Sequence, residues 1–175
     1  TDFTLVSQGF SMDSFLNGEL DVASAMIYNE YYVVLENGVK PEDITIIDYA
    51  DYGLDFPGDV IFTSKKFTEE NPDLCVRMLR ASLRGWQYAI DHPEEAADIV
   101  LKYDQSGVQT RDHQLSMMRE IAKLVKVNIR PVGYTDRADV RRTIDTLYSY
   151  QVLTTQMDPD SVFTNEFWEQ AQPQQ

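Results

Sequence analysis

Short apolar runs alternate with polar and turn residues over the front of the chain. They lie at residues 3–6, 20–27, 44–47 and 60–63, and Gly, Pro, Asn and Asp residues bound them. Short apolar runs with such boundaries are typical of buried strands. Helical stretches at residues 11–18 and 31–37 separate the first three runs. The resulting β–α–β–α–β order predicts an α/β region built on a parallel sheet.

The back of the chain follows the helical period instead. Asn71-Pro72 indicates the start of a long helix, because Pro at the first helical position needs no partner for a backbone N–H. The predicted core face of this helix carries Leu79, Leu83, Trp86 and Ile90. Further helices are predicted after His92-Pro93, from Thr110, from Thr135 and over residues 163–168. We expect an α/β part over residues 1–60, a crossover strand and helical part over 61–170, and a polar tail over 171–175.

Two of the predicted strands end in clusters of carboxylates, amides and aromatic rings. The first cluster follows residue 27 and contains Tyr28, Asn29 and Glu30. The second follows residue 47 and contains Tyr52, Phe56 and Asp59. In open α/β sheets, ligands bind just outside the carboxyl ends of the strands. These two clusters therefore predict a small-molecule site.

Each candidate residue has a ligand-binding interpretation and a plainer one. Glu30, beside Asn29, is able to accept hydrogen bonds from an aminopyrimidine, as carboxylates do at base edges; the alternative is a solvated loop carboxylate. Tyr28, Tyr52 and Phe56 are suited to stack on a flat ring, or else to pack at a sheet edge. Asn29 and Asp59 are candidates for orienting polar ligand groups. The loop after the first predicted strand offers backbone N–H groups at Ser7, Gln8 and Gly9.

Composition narrows the class of protein. The chain has 175 residues and a formal net charge of -14, which disfavours contact with nucleic acid or anionic lipid. No apolar stretch approaches the length of a membrane span. Cys75 is the single cysteine, so no internal disulfide forms. The chain begins with Thr1 and shows no signal-peptide pattern, so we expect a trimmed chain or a piece of a longer polypeptide.

No pattern in the sequence predicts catalysis or metal binding. A phosphate-binding loop, a nucleophile elbow and a dinucleotide fingerprint are all absent from the sequence. His92 and His113 lie far apart and share no metal-ligand spacing with other residues. The acidic pair Asp48 and Asp51 would suit acid–base catalysis, but without a placed partner we interpret it as a solvated turn. We therefore expect neither catalytic nor metal-ligating residues.

Several motifs occur together in an order that resembles one known family. They are Gly18, Leu20, Asp21, Val22 and Ala23 followed by Tyr28, Asn29 and Glu30; Asp51-Tyr52-Gly53; Asn71-Pro72-Asp73-Leu74; Arg80-Ala81; Gly85-Trp86; Tyr88-Ala89; and Pro93-Glu94-Glu95-Ala96. With these motifs the chain resembles the periplasmic-type solute-binding proteins that include the pyrimidine-precursor binders of thiamine salvage. Thiamine-pyrimidine synthases share the fold of this family, and the sulfonate and taurine binders are relatives. The resemblance covers roughly residues 3–170.

The resemblance implies a periplasmic-binding-protein-like, type II, two-lobed fold. This chain would supply the second lobe and the helices that return to the first, and the N-terminal part of the family domain is absent from it. The implied function is that of the solute-binding component of an ABC-type uptake system. It would bind a small heteroaromatic, such as a thiamine pyrimidine precursor, in an interlobe cleft and deliver it to a membrane permease. The implied location is periplasmic or extracytoplasmic, with the full-length form secreted or lipid-anchored.

Two alternative functions stay open at this point, and a further possibility is that the isolated fragment binds nothing because half of its cleft is missing. One is a ligand-sensing domain of a signalling receptor. The other is a synthase-like enzyme, which the resemblance would equip with lysine-bound pyridoxal phosphate, a donor histidine and an iron-binding cysteine cluster. Because Cys75 is the one cysteine and lies in a predicted helix, we expect a binding protein without a cofactor.

Overall fold

The structure is a computed structural model that describes residues 3–125 and 130–172. The chain divides into two compact units, and each is assembled from two separate stretches. Unit 1 comprises Thr1–Thr45 and Tyr88–Lys126, and unit 2 comprises Ile46–Gln87 and Val127–Gln175. The boundary predicted at residue 60 stays a prediction. Residues 173–175 of the predicted tail lie outside the described residues.

Helices dominate the described part of the chain. In chain order they are α1 (Asp13–Leu16), α2 (Glu30–Glu36), α3 (Lys65–Glu70), α4 (Pro72–Asp91), α5 (Pro93–Tyr103), α6 (Arg111–Leu124), α7 (Arg137–Ser149) and α8 (Glu166–Ala171). Short 3-10 turns occur at Pro41–Asp43, Tyr49–Tyr52 and Pro159–Ser161. The helices predicted after Asn71, after His92 and from Thr110 are confirmed. The cap predicted at Thr135 is wrong by one residue, since the Asp136 side chain accepts from the Ala138 N–H at 2.8 Å.

The predicted strands are not found in the described residues. Residues 3–6, 20–27, 44–47 and 60–63 have no strand partner there, so the predicted parallel sheet is absent from this part of the chain. Their apolar side chains are largely exposed, as Leu5 at 86% and Phe62 at 88% illustrate. An apolar run indicates only that burying the segment is favourable. A strand also requires a second backbone with which it forms a hydrogen-bond ladder. The sequence pattern therefore identifies the apolar runs, but it does not predict whether they pair as strands.

Unit 1 is held together by α2, α5 and α6. Val34 of α2 and Ala97 of α5 are buried, each with at most a few per cent of its surface exposed. Two ion pairs join α5 to α6: Arg111 Nε lies 2.6 Å from Asp98 Oδ1, and Arg119 Nη2 lies 3.1 Å from Glu94 Oε1. Helices α5 and α6 therefore form a pair against which α2 packs.

In unit 2 the N-terminal part of α4 is joined to α8. Arg80 on α4 donates to the last carbonyls of α8, from Nη2 to Gln170 O at 2.9 Å and from Nε to Ala171 O at 3.2 Å. The Trp168 indole N–H donates to Val132 O at 2.9 Å. Gly133 beside it has a φ of 76°, which favours glycine, and a Cβ there would lie 2.7 Å from Leu83 Cδ2 and force that side chain to move. Across the described residues, no helix is both long and apolar enough to cross a membrane.

Candidate functional site

The loop that follows residue 6 is fastened to the approach of α2 by Gln8. Its carboxamide pairs with both backbone groups of Ser24: Nε2 donates to Ser24 O at 2.8 Å, and Oε1 accepts from Ser24 N at 2.8 Å. This pair reproduces the two hydrogen bonds that two backbones exchange in a strand bridge. Ser7 and Gly9 are exposed on either side of Gln8. The structure thus brings the predicted loop residues next to the segment that leads into α2.

Glu30 closes the turn that leads into α2. Its Oε2 atom accepts from the Met26 N–H at 2.8 Å, and Met26 O accepts from Asn29 N at 3.0 Å. These bonds and the Gln8 pair link Gln8, Ser24, Met26, Asn29 and Glu30, which we call the Gln8–Glu30 cluster. Glu30 Oε1 has no hydrogen-bond partner among the described residues. One carboxylate oxygen therefore holds the backbone, and the other is available to a ligand.

His113 holds the amide of the cluster from α6. The residue is 7% exposed; its Nε2 atom lies 2.9 Å from Asn29 Oδ1, and its Nδ1 atom lies 3.0 Å from Glu36 Oε1. The contact with Glu36 is an ion pair whenever the ring is protonated. Asn29 Oδ1 and the carboxylate oxygen of Glu36 both only accept, so in this arrangement Nε2 and Nδ1 each carry a hydrogen and donate. The Asn29 side chain is therefore held by its oxygen, and its NH₂ group is left to bind elsewhere.

A second hydrogen bond joins α2 to α6 one turn further along. The Tyr32 hydroxyl donates to Glu120 Oε1 at 2.8 Å, and Lys123 Nζ lies 2.6 Å from the same oxygen. The hydrogen bond to Glu120, with burial and the carboxylate charge adding to it, raises the pKa of Tyr32 to about 12. The hydrogen bond from Lys123, followed by that from Tyr32, holds the pKa of the Glu120 carboxyl below its usual value. Both groups keep their ordinary charge at neutral pH.

A surface depression of about 450 Å³ lies beside this contact. Its lining residues are Tyr32, Ile90, Pro93, Ser116, Arg119, Glu120, Ala122 and Lys123. The charged groups on its wall are already paired, Arg119 with Glu94 and Lys123 with Glu120. The depression therefore presents no unpaired charge to a ligand.

Three of the predicted site residues lie in unit 2, on one exposed segment. Tyr52 ends a 3-10 turn and is 69% exposed, Phe56 is half-buried, and Asp59 has a φ of 33°. The segment is fixed to α7 by Arg142, whose Nη2 donates to Asp55 O at 3.0 Å. Arg142 Nη1 also donates to Asp139 Oδ1 at 3.0 Å. The structure thus keeps Tyr52, Phe56 and Asp59 on one short segment.

The other six predicted residues lie in unit 1. Hydrogen bonds tie Gln8, Asn29 and Glu30 into the Gln8–Glu30 cluster, and Tyr28, which directly precedes Asn29, is half-buried. The sequence pattern indicates no metal-ligating or ligand-binding role for His113. No local signal identifies its partner, because Asn29 lies 84 positions away. The sequence offers one hint: His113 lies three residues after the Thr110 cap, in the first turn of α6, where it is buried.

The described residues contain no group of three or more His, Cys, Asp or Glu side chains placed to hold a metal ion. Cys75 is half-buried within α4. In unit 1 the Gln8–Glu30 cluster offers a ligand the hydrogen-bonding groups of an amide and a carboxylate, and Tyr28 directly precedes both residues in the chain.

Comparison with known proteins places the chain in a family. Residues 1–96 match the family model described as NMT1/THI5 like. The formylaminopyrimidine-binding protein of Halalkalibacterium halodurans is 26% identical over 168 residues, which cover 92% of this chain and 49% of that protein. The riboflavin-binding protein RibY of Chloroflexus aurantiacus is 25% identical over 171 residues, which cover 95% of this chain and 48% of RibY.

Both relatives are solute-binding proteins, and the chain spans about half the length of each. The resemblance to solute-binding proteins that the motifs indicated is therefore confirmed. The chain belongs to the NMT1/THI5-like family, whose fold is of the periplasmic-binding-protein type.

Proposed function

We propose that this chain is a solute-binding module that recognises a small nitrogen heteroaromatic at the Gln8–Glu30 cluster. The observation that carries the proposal is the arrangement of the neighbouring residues Asn29 and Glu30. In each side chain one atom is held by a hydrogen bond within the protein, and a second polar atom is left for a ligand. A formylaminopyrimidine-binding and a riboflavin-binding relative support this ligand class, because both names denote flat nitrogen heterocycles. A thiamine pyrimidine precursor is the ligand we favour.

The chemistry of the pair is complementary to an aminopyrimidine. Asn29 Oδ1 is occupied by His113, so Asn29 offers its Nδ2 hydrogens as donors. Glu30 Oε2 is occupied by Met26, so Glu30 offers Oε1 as an acceptor. An aminopyrimidine carries an acceptor ring nitrogen next to a donor amino group, which is the reverse pattern. Tyr28 is the ring we expect to stack on the ligand, a contact worth about 1–3 kcal/mol for bases on aromatic side chains.

The wider setting is part of the same proposal. The module passes its ligand to the permease of an ABC-type uptake system, outside the cytoplasmic membrane. It binds without breaking bonds, as the names of both relatives suggest for those proteins. A synthase-like activity would require pyridoxal phosphate on one particular lysine, so we expect no more than the weak imine that exposed lysines such as Lys65 form with this cofactor. A saturable one-to-one absorbance band that borohydride fixes to a single lysine would favour the enzyme instead.

The proposal is tested by isothermal titration calorimetry of the chain with formylaminopyrimidine and with riboflavin. Glu30→Gln retains an oxygen that accepts from the Met26 N–H but removes the charged acceptor. Because hydrogen bonds to charged groups contribute about 1.5–3 kcal/mol, we expect affinity for the preferred ligand to fall roughly 10- to 100-fold. Glu42→Gln, in the exposed Pro41–Asp43 turn, is the matched control and should bind as the unmodified chain does.

Two results would contradict the proposal. One is the absence of binding of either compound by the unmodified chain. The other is binding that Glu30→Gln leaves unchanged, which would place the ligand elsewhere. Asn29→Asp offers a second check, because it replaces the amide donor by an acceptor and should weaken the aminopyrimidine in particular.

A further inference from the structure

His113 is the one polar or charged side chain that is buried among the described residues. Burying a polar ring is unfavourable unless its nitrogens are hydrogen-bonded. Both nitrogens do have partners, Asn29 Oδ1 at 2.9 Å and Glu36 Oε1 at 3.0 Å. Both ring nitrogens therefore have a hydrogen-bond partner. Neither hydrogen bond caps a helix or joins α5 to α6.

The two contacts lie at opposite ends of α2. Asn29 immediately precedes the helix and Glu36 is its last residue. His113 itself is fixed in the first turn of α6, where Thr110 Oγ1 accepts from its backbone N–H at 3.2 Å. The ring therefore reaches both ends of α2 from a defined position on α6.

We propose that His113 is a positioning residue that sets which end of the Asn29 carboxamide faces a ligand. This inference rests on the proposed binding function of Asn29 and Glu30. The Nε2–H holds Oδ1, so the NH₂ group is the end left for the ligand. Without that donor the carboxamide is free to turn, and it would present oxygen as readily as nitrogen. The contact with Glu36 holds the ring but does not touch the amide.

The two contacts are separable by substitution. His113→Asn places an amide nitrogen near the former Nδ1 position, so it retains a donor towards Glu36 but does not reach Asn29. His113→Gln is longer and places its nitrogen near the former Nε2 position, so it retains a donor towards Asn29. Glu36→Ala removes the other contact from the same ring and leaves the donor to Asn29 in place. Since Glu36 is exposed, this last variant disturbs little packing.

The experiment measures two properties of the full chain and these variants. The first is affinity for formylaminopyrimidine and for riboflavin. The second is the pair of side-chain amide signals of Asn29 in nitrogen–proton NMR spectra without ligand, assigned by their loss in Asn29→Ala. A thermal unfolding curve of each variant reports stability separately from both.

For His113→Asn we expect affinity to fall about tenfold, the effect of one lost hydrogen bond. The Asn29 amide signals should move to the positions of a solvated side chain. His113→Gln should restore most of the affinity and the signals. Glu36→Ala should lower the unfolding temperature but reduce affinity less than His113→Asn does, because it retains the Nε2 donor to Asn29.

The inference would be overturned if His113→Asn and His113→Gln bound equally well. Unchanged Asn29 amide signals in His113→Asn would overturn it too. So would a result in which the affinity of each variant simply decreased in proportion to its unfolding temperature. If the unmodified chain bound neither compound, the proposed function would fail. The Asn29 signals would still decide whether His113 orients the amide, because they are recorded without ligand.

Discussion

The pKa of Tyr32 is raised well above its ordinary value in the folded chain. Its hydroxyl donates to Glu120, and loss of the proton would leave two negative charges on a single contact. The pKa is therefore higher in the folded chain, about 12, than its ordinary value of 10.0. A group of this kind stabilises the fold fully below its unfolded pKa, and the contribution disappears as pH rises towards the folded pKa. The contact should thus weaken between pH 10 and 12.

We predict that Tyr32→Phe lowers the free energy of unfolding by roughly 0.5–1.5 kcal/mol at neutral pH. The difference from the unmodified chain should shrink steadily above pH 10, where the unmodified chain loses the same hydrogen bond. Urea unfolding at a series of pH values measures both quantities. Tyr150→Phe is the control, since Tyr150 is largely exposed and should show no such trend. A gap that persisted at pH 12 would contradict the assignment.

Among the elements, the segment that carries Tyr52, Phe56 and Asp59 depends on α7 for its position. Arg142 bridges Asp139 on the helix and the Asp55 carbonyl on the segment. We predict that Arg142→Met leaves α7 intact and increases amide hydrogen exchange over residues 52–59 severalfold. Arg141→Met is a matched control on the same helix, because Arg141 contacts Met157 O and Asp158 rather than this segment. Equal exchange in the two variants would show that Arg142 does not hold the segment.

The elements also show what the sequence was able to predict. Pro72, Pro93 and Thr110 act within a turn of their own helix, so local rules placed the starts of α4, α5 and α6 correctly. The extended runs depend on a partner backbone that no local pattern specifies, and the predicted sheet is absent from residues 3–125 and 130–172. The pairing of Asn29 with His113 was missed for the same reason. The sequence indicated the hydrogen-bonding groups of the candidate site but not the contacts that orient them.

For the molecule as a whole, charge and exposed apolar surface act in opposite directions. The net charge of -14 repels one copy from another, whereas exposed residues such as Leu5, Phe10 and Phe62 favour association. Salt screens the repulsion, with a Debye length of about 10 Å at 0.1 M and 3 Å at 1 M, and leaves the apolar attraction in place. We therefore predict that self-association increases with salt concentration.

Sedimentation at low and high salt tests this prediction. The double variant Leu5→Lys with Phe62→Lys should reduce association at high salt, because it charges two of the most exposed apolar positions. Thr63→Lys serves as the control for added positive charge, because Thr63 is exposed. Its neighbour Ser64 is unsuitable, because the Ser64 side chain caps α3. Association that fell with salt would indicate that ion pairs, rather than apolar segments, join the copies.

The division of unit 1 into two stretches has a consequence for biosynthesis. Asn29 and Tyr32 meet their partners His113 and Glu120 across 84 and 88 positions of chain. At translation rates of about 5–20 residues per second, several seconds separate the emergence of α2 from that of α6. A helix of seven residues is too short to persist in water without packing. During that interval the nascent chain carries Tyr28, Asn29 and Glu30 unfolded at the ribosome exit, and the candidate site is completed only when α6 has been synthesised.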